Sequence, residues 1–307
     1  MTSVRRLPVI MDVDTGVDDA VALLLATCLP ELVLLGVTTV AGNVALDLTT
    51  ENTLRVLAAA GHPEIPVYRG MAAPLARPHL DAAAFHGANG LAGVELPRSP
   101  ATVSRVTAPE FIVQSLRQRP GELTLICVAP LTNLAVALRL EPELPRLVRR
   151  VVVMGGVFQN PGNVTAYAEF NIWADPEAAA EVALSELPLT FVGLDVTHQT
   201  GLERADWEAL AEQDGGEARL IHALLRQSLD ERGRERFHLH DPLAVGIAAW
   251  PELVTTERWG VAVQVGTVRD VGLTALSTVP ALPRHEVALA VDAAEFRRRF
   301  DRCLHLG

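Results

Sequence analysis

Lysine is absent from this chain, and all 26 of its basic residues are arginine. That excludes any mechanism built on a lysine nucleophile, a Schiff base or a lysine set against phosphate. Surplus positive charge is missing too: 37 acidic residues outnumber the arginines and leave a net charge of −11. A nucleic-acid binder concentrates surplus Arg and Lys on one face, so no nucleic-acid partner is expected. Cysteine is scarce. Cys28, Cys127 and Cys303 lie in apolar stretches without a C-x-x-C spacing, which reads as reduced, buried thiols in a cytoplasmic protein. No apolar run approaches the ~20 residues of a membrane-spanning helix, because Pro30 and Glu31 interrupt the most apolar stretch, Ala20 to Val40. Nor is a targeting segment expected, since the run Leu7–Met11 meets Asp12 before a signal h-region could form.

What is present is an alternation of short apolar runs with helical patterns. Strands are expected at Leu7–Val13, Leu32–Val40, Ile65–Tyr68, Leu123–Val128, Arg150–Met154 and Leu189–Leu194. Helices are expected between them, among them Asp18–Leu29, Leu46–Ala60, Ala108–Arg117, Asn133–Leu140 and Pro176–Leu184. Continuous apolar strands without period-2 alternation suit a parallel sheet covered on both faces. The fold class is therefore α/β, a mostly parallel central sheet flanked by helices in one domain over residues 1–307. After Trp250 the chain turns β-rich, as a small C-terminal extension closing in helix Ala293–Cys303. Two stretches break the rhythm: Arg69–Thr102, rich in Pro, Gly and Ala, and the charged Glu217–His240. Long irregular stretches inside a compact domain are commonly functional lids.

The most informative residues follow the first strand: Asp12-Val13-Asp14-Thr15-Gly16-Val17-Asp18-Asp19. Asp12 and Asp14 share one face of the strand, and Asp18-Asp19 opens a helix after the Gly16 turn. One of the last two acids could serve as a helix cap. Capping does not account for four. Clustered acids repel one another unless positive charge sits among them, and no lysine or neighbouring arginine supplies it. A hard divalent cation is the simplest answer, and calcium, which accepts mixed carboxylate, carbonyl and hydroxyl oxygens, is favoured over magnesium. Amides and acids recur at later strand ends: Asn43, Asn133, Asn163, Glu169 and Asn171, then His240-Asp241. Such a rim without basic residues suits a polyhydroxylated sugar rather than a phosphate.

Five segments in order carry a resemblance: Asp12-x-Asp14-x-Gly16-x-Asp18-Asp19, Thr39-Val40-Ala41-Gly42-Asn43, Met154-Gly155-Gly156, Ala168-Glu169-Phe170-Asn171 and His240-Asp241-Pro242-Leu243-Ala244. Together they resemble the nucleoside hydrolases of the inosine–uridine-preferring type. The resemblance implies their Rossmann-like fold and hydrolysis of a ribonucleoside to base and ribose with one Ca2+. By motif position, Asp14, Asp19, Asp241 and the carbonyl of Val128 would hold the ion. Asp14 would also be the general base on a bound water. Asp18, Asn43, Asn163, Glu169, Phe170 and Asn171 would grip the nucleoside, with Met154 packed on the ribose. His240 is the candidate acid at the leaving base, and His86 is a second. A homodimer or homotetramer is the expected assembly.

The chemistry is coherent with these roles. Glycosidic cleavage passes through a ribosyl cation, which carboxylates and amide oxygens stabilise as its charge grows. An imidazole titrating near neutrality would help the base depart. The chain departs from the family's usual pattern at Thr15, where proline is common, and at Val128, where some members carry threonine. It also has only two tyrosines, Tyr68 and Tyr167, and none in Glu217–His240, where members stack the base on aromatics; Phe237 and Phe170 are the substitutes at hand. Three rival readings exist. A phosphatase of the haloacid dehalogenase type needs the lysine that is missing. A dinucleotide enzyme needs a G-x-G-x-x-G after the first strand, which is also missing. A non-catalytic calcium- or polyol-binding protein would keep the acids yet need neither His240 nor a base at Asp14.

Overall fold

Apolar runs without alternation become strands buried on both faces. In the computed structural model, which describes residues 6–266 and 269–306, they join into a sheet of nine strands. These are β1 (Leu7–Val13), β2 (Leu32–Thr39), β3 (Val67–Arg69), β4 (Thr124–Cys127), β5 (Arg150–Met154), β6 (Leu189–Val192), β9 (Val254–Val263), β10 (Thr274–Ser277) and β11 (Arg284–Val291). A separate antiparallel pair is formed by β7 (Gly201–Glu203) and β8 (Arg236–His238). The large sheet runs β10-β9-β11-β6-β5-β4-β1-β2-β3. From β3 through β11 neighbouring strands are parallel, while β9 and β10 are antiparallel at the far edge. The expected β-rich C-terminal extension is present, and its strands prolong the main sheet.

Successive side chains of β1 feed two cores. Val9, Met11 and Val13 join one with helices Val17–Cys28 and His240–Ala249, and Ile10 joins the other with Ala108–Gln118, Thr132–Leu140 and Pro176–Ala183. Helix Val17–Cys28 is buried almost all round, so Leu23, Leu24 and Leu25 each contribute roughly 1.5–3 kcal/mol by leaving water. Strand order proceeds outward from β1 to β3 on one side and from β4 to β6 on the other. At that switch point the connections diverge and leave a crevice beyond the carboxyl ends of β1 and β4.

The two irregular stretches differ in kind. Arg69–Thr102 contains only the short helix Ala83–His86, whereas Glu217–His240 holds helix Gly216–Arg226, a π-helical turn Gln227–Glu231 and β8. Insertions of π-helix are frequent at functional sites. Helix His240–Ala249 begins two residues earlier than its proline suggests. The cysteines are free as expected, but only Cys127 is fully buried; Cys28 and Cys303 are half-buried. Among the described residues no helix is long and apolar enough to cross a membrane.

Candidate active site

Two glycines bring the acids to the crevice. A Cβ at Gly42 would lie 2.0 Å from Asp14 Oδ2, and its absence lets the next amide, Asn43 N–H, donate to that oxygen at 2.7 Å. A Cβ at Gly16 would meet His86 Nδ1 at 2.5 Å and Asn43 Nδ2 at 2.8 Å. Gly16 instead starts helix Val17–Cys28, with Asp19 three residues on accepting from its N–H at 2.9 Å. Asp19 also accepts from Asp14 N–H at 3.0 Å and Asn43 Nδ2 at 3.0 Å. The capping role therefore falls on Asp19. Thr15, standing where proline is common, is tied through its hydroxyl to Thr53 at 2.6 Å.

Asp12, Asp14, Asp18, Asp19 and Asp241 are all buried. Burial raises the carboxyl of Asp12 to about 7, against the hydrogen bonds from Thr38 and Asn133. Burial and then the charge of Asp19 raise Asp14 well above the usual range. Burial raises Asp18, opposed by amides of Asp241 and His240 and reinforced by Asp19. Asp241 is raised by burial, then by Asp18, Asp19, Asp14 and Glu169. Among the described residues, three buried oxygens of this cluster have no hydrogen-bond partner: Asp12 Oδ2, Asp14 Oδ1 and Asp18 Oδ1. Open carboxylate oxygens in a dry site are costly, and hard oxygen donors of this kind fit a divalent cation. Among the described residues, though, no three His, Cys, Asp or Glu side chains are already drawn up as a closed cage. The Val128 carbonyl accepts from Asn171 Nδ2 at 3.1 Å.

Above the acids opens a cavity of about 260 Å³. Of the residues expected at the site, Asp18, Asn43, His86, Val128, Met154, Asn163, Glu169, Phe170, Asn171, His240 and Asp241 line it; Asp14 and Asp19 are buried and do not reach its wall. The amide-rich end is tightly braced. Glu169 caps helix Phe170–Ala174, accepting from Asn171, Gly156 and Ile172 N–H at 2.8, 3.1 and 3.1 Å, yet burial still raises its carboxyl to about 7. Asn171 Nδ2 also donates to Met154 O at 3.1 Å, and Asn163 Oδ1 accepts from Phe170 N–H at 2.9 Å. Thr274 of β10 holds Val157 from both sides, accepting from its N–H at 2.9 Å and donating to its carbonyl at 2.6 Å.

Imidazoles line the same cavity. The rings of His198, His238 and His240 lie 4.8–5.6 Å apart, centroid to centroid. Burial first, then His238, His198 and His86, hold His240 well below 6.5. The expectation of a ring titrating near neutrality is not met, because a dry pocket shared with other imidazoles disfavours a cation. His86 is lowered to about 3 by burial and Arg232. Its Nδ1 accepts from Val17 N–H at 3.0 Å, so its proton resides on Nε2. Next to it, Phe85 lies under two guanidiniums, Arg234 at 4.9 Å and Arg232 at 5.4 Å from its centroid. Arg232 Nη2 also donates to Ala84 O at 2.5 Å. Both irregular stretches therefore meet at the cavity mouth.

Sequence reasoning missed Phe85, His198 and Arg234, all of which line the cavity. His198 follows the end of β6 and could have been found by the strand-end rule; Phe85 and Arg234 come from distant segments that only the fold unites. Phe237 also lines the cavity, as does His238. His222 stacks on Trp207 at 4.6 Å, and His79 hydrogen-bonds the carbonyl of Gly42 at 2.9 Å.

Comparison with known proteins bears on this geometry. The family model described as inosine-uridine preferring nucleoside hydrolase matches residues 9–298. The chain is 40% identical to a pyrimidine-specific ribonucleoside hydrolase of Citrobacter koseri over 259 residues, 82% of this chain and 83% of the relative. It is 38% identical to a non-specific ribonucleoside hydrolase of Shigella boydii over 299 residues, 95% and 96% of the two chains. Among solved structures, a purine-preferring ribonucleoside hydrolase from Gardnerella vaginalis superposes with a TM-score of 0.90 at 32% identity, over 97% of this chain and 98% of that one. These relatives differ in the bases their names give.

Proposed function

This chain belongs to the inosine-uridine preferring nucleoside hydrolase family, and on that premise we propose that it hydrolyses the N-glycosidic bond of ribonucleosides, releasing free base and ribose, with one Ca2+ at the acidic floor. The observation that carries the reading is the composition of one cavity. Amide and acid side chains share its wall with imidazoles and aromatic rings, and buried carboxylates with unpaired oxygens cluster at its floor. The continuous sheet supports treating the chain as one catalytic domain.

The residues that would hold the ion are Asp14, Asp19, Asp241 and the Val128 carbonyl. Bound there, calcium would acidify and orient a water. Asp14 keeps one oxygen anchored on Asn43 N–H and the other free, which is the arrangement a general base needs to take the water's proton. Cationic charge on the floor would also relieve the repulsion that now favours its protonated form. Asp18, Asn43, Asn163, Glu169 and Asn171 hold the ribose hydroxyls and fix the ring against the water. The surrounding carboxylates stabilise the positive charge that develops on the ribose as the C1′–N bond lengthens. His240, neutral at pH 7, donates a hydrogen bond from Nε2–H to the base as it departs with the bonding pair, with His86 as a second donor of the same tautomer, while the proton of the attacking water stays on Asp14.

Incubation with inosine, uridine and cytidine in phosphate-free buffer should release reducing sugar. Formation of ribose 1-phosphate that requires added phosphate would reject hydrolysis in favour of phosphorolysis. Asp14→Asn should lower kcat by ~10²–10⁴-fold, the usual contribution of a positioned base, without altering the far-UV circular dichroism. Unchanged turnover would remove Asp14 from the mechanism, whereas no turnover by the parent protein would favour a non-catalytic binding protein.

A further inference from the structure

The hydroxyl of Thr197 lies 2.7 Å from His240 Nδ1. Thr197 is fully buried, and among the described residues its hydroxyl has no other hydrogen-bond partner. A buried O–H needs an acceptor more stringently than a buried lone pair needs a donor. If Nδ1 carried the ring proton, the threonine proton would be stranded, so the threonine donates and Nδ1 accepts. In the neutral ring the proton is then on Nε2. That nitrogen makes no hydrogen bond to a described residue, and the ring lines the cavity.

We propose that Thr197 is a positioning residue that fixes the tautomer of His240, keeping Nε2–H directed at the leaving base. The inference rests on the reading above that His240 serves the base. The hydroxyl's place is set by main chain rather than by the substrate. Thr197 closes the single helical turn Leu194–Thr197 beyond β6, its own N–H donating to Gly193 O at 3.1 Å. On the same turn Asp195 accepts from the amides of Phe158, Gln159 and Asn160 at 2.8, 2.8 and 3.0 Å. One short element therefore locks the loop after β5 and orients the imidazole across from it. The arrangement repeats at His86, where a main-chain N–H performs the same selection on Nδ1.

Thr197→Val removes the donor at nearly constant shape and frees the ring to carry its proton on Nδ1, which turns a lone pair towards the leaving base. With inosine and uridine, kcat should fall by about tenfold or more, a share of the ~10²–10³-fold that one hydrogen-bond donor to a developing anion supplies, while KM changes little. A riboside with a nitrophenolate leaving group should be cleaved at nearly the original rate. Thr197→Ser should restore turnover, and in a His240→Ala background Thr197→Val should cost nothing further. Nitrogen-15 NMR of the His240 ring should report Nε2–H in the parent protein and a shift towards Nδ1–H in Thr197→Val. An unshifted ring overturns the proposal, as does an equal loss on both classes of riboside that persists without His240. A shifted ring with undiminished turnover leaves the tautomer assignment standing and overturns the leaving-group role of His240 instead.

Discussion

Metal-free protein should become less stable as the pH rises from 5 to 8. Burial raises Asp12 from 3.8, and Glu169 from 4.5, to about 7 in the folded chain. Both carboxyls bind a proton in the folded state that the unfolded state releases. Their stabilising effect is complete below about pH 4 and is lost as the pH climbs through 7. At 1.36 kcal/mol per pKa unit, each costs about 2–3 kcal/mol between pH 5 and pH 8, so together about 5 kcal/mol. That is a large part of the roughly 5–15 kcal/mol that holds a domain folded. Asp14, Asp18 and Asp241, raised in the same direction, steepen the trend. A cation that binds only the folded state at a thousandfold excess over its Kd returns about 4 kcal/mol, and it binds an ionised cluster better than a protonated one. Urea unfolding of chelator-treated protein, with and without calcium, at the two pH values measures both effects. Stability that is flat or rising between pH 5 and 8 without metal would refute the burial argument. A calcium increment equal at both pH values would refute the acidic floor as its binding site.

Two further outcomes follow from the geometry. Gly42→Ala places a methyl group 2.0 Å from Asp14 Oδ2, and the resulting displacement should lower kcat/KM by ~10²-fold or more, the scale of a 1 Å misplacement. Gly216→Ala, where a Cβ meets nothing within 4 Å, is the matched control and should leave both kcat and Tm essentially unaltered. His240→Ala should slow inosine and uridine far more than a nitrophenyl riboside; parallel losses on all three would exclude it as the group assisting departure.

Much of this architecture was legible in the chain. The bounds of β1, β5 and the last helix, Ala293–Cys303, coincide with those read from apolar runs and caps, because strands buried on both faces leave no ambiguity of period. The acids after β1 and the amides after later strands announce a rim for the same reason: a polar side chain that abruptly ends an apolar strand has only the sheet's edge to occupy. Glu217–His240 was harder. Its arginines drew attention, although Ala218, Ile221, Leu224 and Leu225 carry the spacing of the amphipathic helix that forms there. Phe85 and Thr197 were illegible in their roles, and His198 was legible only as a position beyond a strand end. Each depends on a partner tens of residues or more away, and no local pattern encodes that meeting. The lowered pKa of His240 belongs to the same class, since it arises from burial and from rings brought in by β6, β8 and the loop after β3.

Thr274 pins Val157 from the far edge of the sheet, and a bridge between Ala168 and Leu273 lies beside it. The loop that follows Met154, a residue of the cavity wall, is thus fastened by a strand that leaves the ribosome more than a hundred residues later. During synthesis the acids of the first strand emerge early, yet the pocket stays unfinished until β10 is threaded into its edge position. Competence is conferred late, by the tail.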